Sequence, residues 1–311
     1  MLEVFEVYLP IAGVSINALL LVSVGVAIGV LGGIFGLSGG VFIVSILMAI
    51  GISSQVAVAA SINQMTAASF SGFIAYAKRK RVDYKLGALM LVGAILGSTI
   101  GVWVFDILSE VGVIDTVISV GFILILGTVG YITAKDAAVL LFYKFKNEPP
   151  PKQHKKTLLS NIALPYQVHF PSAREEISIF SPLIIGFGGG FVVSVMGIGG
   201  SIIIIPSMIY ILKISEPFTA GTTHFQIVFT TIIATILHSM TSHNLDIVLS
   251  SILMLGTAFG VQIGVRIGAK WHPENYRILL ALVLVLLCVQ VAYGIVATPR
   301  SLYSIEYTAN K

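Results

Sequence analysis

The sequence predicts an all-α polytopic membrane protein made of two homologous halves arranged as an inverted repeat. Three observations lead there. Hydrophobic residues make up 56% of the 311 residues and charged residues only 10%, where a soluble domain carries about 25% charged. Long charge-free runs cover 11–77, 86–105, 116–134, 177–212, 217–245, 247–265 and 278–299, and a spanning helix needs about 20 apolar residues. The runs are apolar all round, unlike the alternating strands of an outer-membrane barrel. Finally, the chain repeats itself with an offset that drifts only from 161 to 163 residues.

The repeat fixes the order of elements. Gly36-Leu37-Ser38-Gly39 matches Gly197-Ile198-Gly199-Gly200, and aliphatic Val41–Val44 matches Ile202–Ile205. Ile52-Ser53 matches Ile214-Ser215, Gln64 matches Gln226, and Asp83 matches Asp246. Gly93, Gly97 and Gly101 match Gly256, Gly260 and Gly264. The first half is expected to hold a long helix near 11–35, a short one near 40–50, then helices near 54–77, 85–106 and 113–134. Its partner is expected to run 179–196, 201–212, 217–240, 246–267 and 276–297. Each half thus has four full helices and one short or broken helix after a glycine-rich segment. Twelve helical residues reach about 18 Å, little more than half of a roughly 30 Å hydrocarbon core. The short element either crosses together with the extended residues before it or forms a re-entrant pair with the first helix. Both place glycine-rich backbone deep in the membrane, where it must be buried in protein or line a cavity.

Charges set the orientation. Lys78-Arg79-Lys80-Arg81 and Lys85 follow the third element of the first half, whereas Thr241–Leu245 of the second half holds no Lys or Arg. The next loop reverses this, with Asp106, Glu110 and Asp115 in one half and Arg266, Lys270 and Arg277 in the other. An inverted repeat with both termini outside puts every Lys and Arg except Arg300 and Lys311 on the cytoplasmic side. Merging the first two elements into one broken span would instead give a parallel repeat. The expected organisation is a first transmembrane repeat over 1–134, a cytoplasmic basic linker over 135–176, a second repeat over 177–299 and a tail over 300–311. The N-terminus MLEVFEVYLP has no basic segment, so no cleaved signal peptide is expected. The expected location is the cytoplasmic membrane of a prokaryote.

The two glycine segments, Gly36, Ser38, Gly39 and Gly40 with Gly197, Gly199 and Gly200, each precede the start of a short helix. A helix start offers unpaired N–H groups and the positive pole of the dipole, a ready anion site. Two such starts related by symmetry resemble the midplane sites of secondary transporters; close helix packing would explain the same glycines structurally. The third elements carry Ser61, Asn63, Gln64 and Thr66 in one half and Thr222, Thr223, His224 and Gln226 in the other. Such side chains are costly in hydrocarbon unless paired or hydrated, so Asn63, Gln64, Thr223 and Gln226 join the candidate substrate site. His224, with Ile62 as its first-half counterpart, is the candidate for proton coupling. The glycine triplets at 93–101 and 256–264 are expected to be scaffold.

No metal-ligand spacing and no Walker loop occurs, and Cys288 stands alone. No cofactor, catalytic residue, metal or nucleic-acid partner is expected; the expected partners are a small anion, the lipid bilayer and protons. Gly36-Leu37-Ser38-Gly39-Gly40 does fit the G-x-S-x-G pattern of serine hydrolases, which keeps open an intramembrane hydrolase using Ser38. The repeat places Gly199 where that serine would recur, and no strand precedes it. An anion channel and a non-transporting membrane scaffold are also compatible with the composition.

At these residues the sequence resembles the sulfite exporter TauE/SafE family of the toluene sulfonate uptake permease group. The likeness rests on the duplicated glycine segment with its short aliphatic helix, the small-residue helix that follows, and the G-x3-G-x3-G helix. It covers about 11–134 and 180–297 and is best at Gly197-Ile198-Gly199-Gly200 with Pro206 downstream; the first half has Ser45 and Ser38 where the second has Pro206 and Gly199. The resemblance implies transport of small sulfur-containing anions such as sulfite or organosulfonates, by alternating access.

Overall fold

The computed structural model describes residues 6–145, 167–170, 172–173, 177–212, 214–242, 244–270 and 273–296. Most of the expected linker and the whole C-terminal tail lie outside them. Among the described residues are ten helices and two small hairpins.

In the first half, strands β1 (Glu6–Leu9) and β2 (Val14–Asn17) precede helices α1 (Ala18–Phe35), α2 (Gly40–Ala49), α3 (Ser54–Ala77), α4 (Tyr84–Glu110) and α5 (Ile114–Phe145). The second half repeats the order with β3 (Gln167–Val168), β4 (Ile177–Ser178), α6 (Phe180–Met196), α7 (Ser201–Tyr210), α8 (Glu216–Thr241), α9 (Ile247–Gly268) and α10 (Pro273–Val296). Among the described residues, five helices are long and apolar enough to cross a membrane. α3 is not one of the five; its Ser, Asn, Gln and Thr residues lower its hydropathy. Apolar side chains such as Trp103, Leu124 and Phe259 point outward along the helices, the surface a bilayer would cover. The chain is an all-α polytopic membrane protein.

Three expectations change. The first helix begins at Ala18 rather than near residue 11, because residues 6–17 turn back as an antiparallel hairpin. Gly13 sits at φ +68° in that turn, and the Asn17 side chain accepts from the Leu19 and Leu20 amides to start the helix. Second, β3, within the expected linker, pairs antiparallel with β4 at the start of the second repeat, Gln167 with Ser178 and Val168 with Ile177. Third, α5 continues through Phe145, so residues 135–145 prolong a helix that was expected to end near 134.

The two hairpins are tied down by equivalent aspartates. The Asp246 carboxylate caps its own helix through Leu249 N at 3.0 Å and accepts from Ile11 N at 3.0 Å and Ala12 N at 3.3 Å. Asp83 caps Leu86 N at 3.1 Å and accepts from Ser172 N at 3.1 Å and Ser172 Oγ at 2.6 Å. Each buried charge is satisfied by several donors, as burial demands.

Glycine sets the tight helix pairs. α1 and α9 run parallel: methyl groups added at Gly25, Gly29 and Gly33 would press on backbone at Leu253–Thr257, Thr257–Gly260 and Val261–Val265. α4 and α6 do the same, with Gly93, Gly97 and Gly101 set against Leu183, Phe187 and Phe191. The triplets are scaffold, because only glycine lets the backbones come this close. Equivalent helices run antiparallel to each other: α3 meets α8 at Thr66–Thr231 and at Gly72–His224, and α5 meets α10 at Gly127–Cys288 and Gly130–Leu284. The main pairs α1–α9, α4–α6, α3–α8 and α5–α10 map onto one another when the halves are exchanged.

Candidate functional site

The short helices fold back. α1 ends at Gly36 in the left-handed region, φ +68°, and the Leu37 amide bonds back to Gly32 O at 2.8 Å. Beyond it the chain retraces α1: a methyl at Gly32 would lie 2.7 Å from Leu37 O, and one at Gly39 would lie 3.0 Å from Ile28 Cγ2. α2 then runs back beside α3, starting level with Ser61 and Met65 and ending just before Ser54. α6 does likewise, ending at Gly197 with φ +64°, after which Gly200 lies against Gly189. In each half the first two helices therefore form a pair in which the chain turns back along the first helix.

Because the pairs enter from opposite ends, the starts of α2 and α7 meet inside the protein. Ser38 N donates to Ser201 Oγ at 3.3 Å, and the two hydroxyls are 3.3 Å apart. Ser61 Oγ reaches across both breaks, donating to Gly197 O at 2.9 Å and Gly40 O at 3.3 Å. A methyl at Gly40 would sit 2.6 Å from Met65 Sδ and 3.0 Å from Ser61 Oγ. Two positive helix poles thus face one buried junction with no Lys or Arg among its contacts, an arrangement that favours an anion.

Gln64 faces this junction unpaired. Gln64 is fully buried, and neither its Oε1 nor its Nε2 bonds any described residue; a methyl at Gly39 would lie 3.9 Å from that Nε2. Gln226, at the equivalent position of α8, donates from Nε2 to Thr230 Oγ1 at 2.8 Å and leaves Oε1 unpaired. Buried amides nearly always find partners, so Gln64, with neither atom of its amide paired, marks a place prepared for something polar.

The structure gathers Ser38, Gly39, Gly40, Gln64, Gly197 and Gly199 at the junction, with Gly200 at the start of α7. Gly36 lies farther out, against Ala220 and Tyr76. Asn63 is only half-buried and turned away from Gln64's side of the helix. Thr223 points to α7, its Oγ1 3.5 Å from Met208 Sδ. His224 is fully buried but packs on Gly72 and stacks with Tyr76 at 5.7 Å between ring centres. Ser38 bonds Ser201, so its described partner is another serine, not a histidine. Ser201 and Met65 belong to the junction but were missed by sequence reasoning as site residues. The repeat could have found Ser201, because it stands where the first half has Gly40. The half-sites also differ as expected: Pro206 interrupts α7, while at the matching Ser45 the carbonyl accepts from Gln290 Nε2 at 3.2 Å.

Comparison with known proteins agrees with this architecture. The family model described as "Sulfite exporter TauE/SafE" matches residues 21–291. A relative from Bacillus subtilis (strain 168), "Probable membrane transporter protein YunE", is 26% identical over 285 residues, covering 88% of this chain and 97% of the relative. No solved structure matches the chain. The chain belongs to the TauE/SafE sulfite exporter family of membrane transporters.

Proposed function

We propose that the chain is a secondary transporter of small sulfur-containing anions, sulfite or organosulfonates, working by alternating access around the junction of α2 and α7. One observation carries this: two helix N-termini meet head to head in the interior beside Gln64, a fully buried amide without a described partner. Backbone N–H groups near Gly39-Gly40 and Gly199-Gly200 would meet the anionic oxygens, and Gln64 and Gln226 would add amide donors. With no cation at the junction, affinity rests on dipoles and hydrogen bonds, and shape sets specificity. Sulfur as the substrate element follows from the family, not from the geometry.

The antiparallel run of equivalent helices supports an inverted repeat, with residues 6–145 and 167–296 as its halves. The end carrying Lys78–Lys85 is cytoplasmic by its charge, which puts the described N-terminal hairpin outside. The α1–α9 and α4–α6 pairs would then move against the α3–α8 core to expose the junction to each side in turn.

Counterflow of sulfite and of sulfoacetate in proteoliposomes, wild type beside Gln64→Ala and Gln226→Ala, tests the reading. Saturable exchange in the wild type, weakened about tenfold or more in each variant, is expected from loss of a charge-assisted hydrogen bond. Flux that never saturates would indicate a channel. Saturable exchange untouched by either variant would move the site elsewhere.

A further inference from the structure

At the end of the protein opposite Lys78–Lys85, a chain of polar groups joins three helices. His238 of α8 is buried, and its Nε2 lies 2.8 Å from the Ser194 carbonyl oxygen in the last turn of α6. Its Nδ1 lies 3.4 Å from Ser242 Oγ, and Ser242 Oγ lies 2.6 Å from Asp106 Oδ1 of α4. Phe105 packs edge-on against the imidazole at 4.7 Å between ring centres.

The protons in this chain can be counted. A carbonyl oxygen only accepts, so His238 Nε2 must carry a hydrogen. A carboxylate also only accepts, so the single Ser242 hydroxyl hydrogen goes to Asp106. The neighbouring Thr241 hydroxyl makes no competing demand it cannot meet, since it donates to Leu237 O at 3.1 Å. A neutral His238 would then turn a lone pair on Nδ1 toward the oxygen of a hydroxyl already engaged. One further proton on Nδ1 completes the sequence: Nε2–H to Ser194 O, Nδ1–H to Ser242 Oγ, Ser242 O–H to Asp106. It also puts a cation between a carboxylate and the negative pole of α6.

We propose that His238, Ser242 and Asp106 form a proton-binding latch between α8 and the α4–α6 pair, through which protons act on anion movement. The latch reports to the junction by a short path. Ser194 is three residues before Gly197, whose carbonyl accepts from Ser61, and Ser194 Oγ donates to Ser98 Oγ at 2.9 Å, holding α6 to α4. Uptake of the proton makes the Nε2–H bond from α8 to the end of α6 charge-assisted and so stronger, and its loss weakens that tie. No other described titratable group competes. α6 has none, nor do the first turns of α3 from Ser54 to Gln64. Asp115 of α5 is held by Ser54, Asp246 by three backbone amides, and Glu110 is exposed one turn beyond Asp106. The repeat places Tyr76 and Lys80 where the second half has His238 and Ser242, so the latch exists at one end only. A titratable tie on one side makes the two faces of the cycle unequal in their response to pH.

The coupling role rests on the transporter reading, but proton binding does not, and two measurements separate them. Ring-15N histidine NMR of the full chain in nanodiscs, with His238 assigned by its loss in His238→Gln, reads the site itself. A ring protonated at both nitrogens over part of the accessible pH range is expected, over a range that changes in Asp106→Asn and Ser242→Ala. A ring with one proton at every pH where the protein stays folded would overturn the latch. Sulfoacetate transport in proteoliposomes held above about pH 6 then reads coupling, because there both its sulfonate and its carboxylate are ionised. In His238→Gln, uptake driven by a pH gradient should fall about tenfold or more, while counterflow at equal pH stays within about threefold. Gradient-driven uptake that survives in His238→Gln, or is lost instead in His224→Gln, would refute the coupling role. Absence of saturable counterflow in the wild type would refute the transporter reading and with it the coupling, leaving the NMR result to decide whether the proton site exists.

Discussion

Gly199→Ala puts the junction under a controlled test. Gly199 has φ +76°, and a methyl there would lie 2.5 Å from Ser38 Oγ and 2.9 Å from Met65 Sδ. Gly112 has nearly the same backbone, φ +77°, with nothing within 4 Å of an added methyl. Left-handed strain should therefore cost about 1–2 kcal/mol at both positions. Only Gly199 adds the overpacking term, about 1–3 kcal/mol. In a polypeptide of this size each kcal/mol lowers the melting temperature by roughly 2 °C. Thermal unfolding in one detergent should place Gly112→Ala about 2–4 °C below wild type and Gly199→Ala about 4–10 °C below it. Ser38→Ala removes the nearer of the two clashing atoms and should recover at least about 1 kcal/mol in the Gly199→Ala background, a coupling that distant sites would not show. Equal losses at Gly112 and Gly199, or no recovery with Ser38→Ala, would mean that the two glycine breaks do not meet as described.

Further expectations concern the scaffold and the topology. Gly29→Val, whose first added carbon would already lie 2.5 Å from the Thr257 carbonyl oxygen, should prevent α1 from pairing with α9 and abolish the monodisperse folded species on gel filtration. Asp246→Ala removes a helix cap together with two bonds to the hairpin; it should cost about 2–4 kcal/mol, visible as a lower melting temperature, with Asp246→Asn retaining part of it. Single cysteines in a Cys288→Ser background should label from outside at Val113 and only after permeabilisation at Lys80, and the opposite pattern would reverse the assigned orientation.

Much of the fold was legible in the sequence. Eight of the ten helices lie within about four residues of the bounds read from the repeat and the apolar runs, because a helix in lipid must be long, apolar and internally hydrogen-bonded. The α1 start was misplaced because residues 11–17 carry no charge and so extend the apolar run of the helix they precede. Hydropathy does not distinguish a hairpin covering a helix end from the helix itself. The β3–β4 hairpin was lost for a different reason. It lies at the end of a polar, charged segment, and its kinship with residues 6–17 shows only once Asp83 and Asp246 are seen to bind Ser172 and Ile11. Gln64 and Gln226 were legible as polar residues at equal depth. Asn63, Thr223 and His224 share that depth but point elsewhere, since one residue along a helix turns a side chain by about 100°.

Composition, periodicity and self-similarity determined by themselves that this chain lives in a membrane, that matching segments recur in its two halves, and where its glycine breaks fall. These are properties of single segments, and the solvent acts on each segment alone. Whether α2 crosses the bilayer or turns back was open in the sequence, because ten apolar residues after a glycine turn satisfy either path. Only packing decided it. The retraced stretch after Gly36 fits against Gly32 and Ile28 of its own helix, and the mirror stretch fits against Gly189. That reversal brings Ser38 to Ser201 across 163 positions of sequence. It makes two helix starts into one site, and no local preference of either segment specifies that meeting.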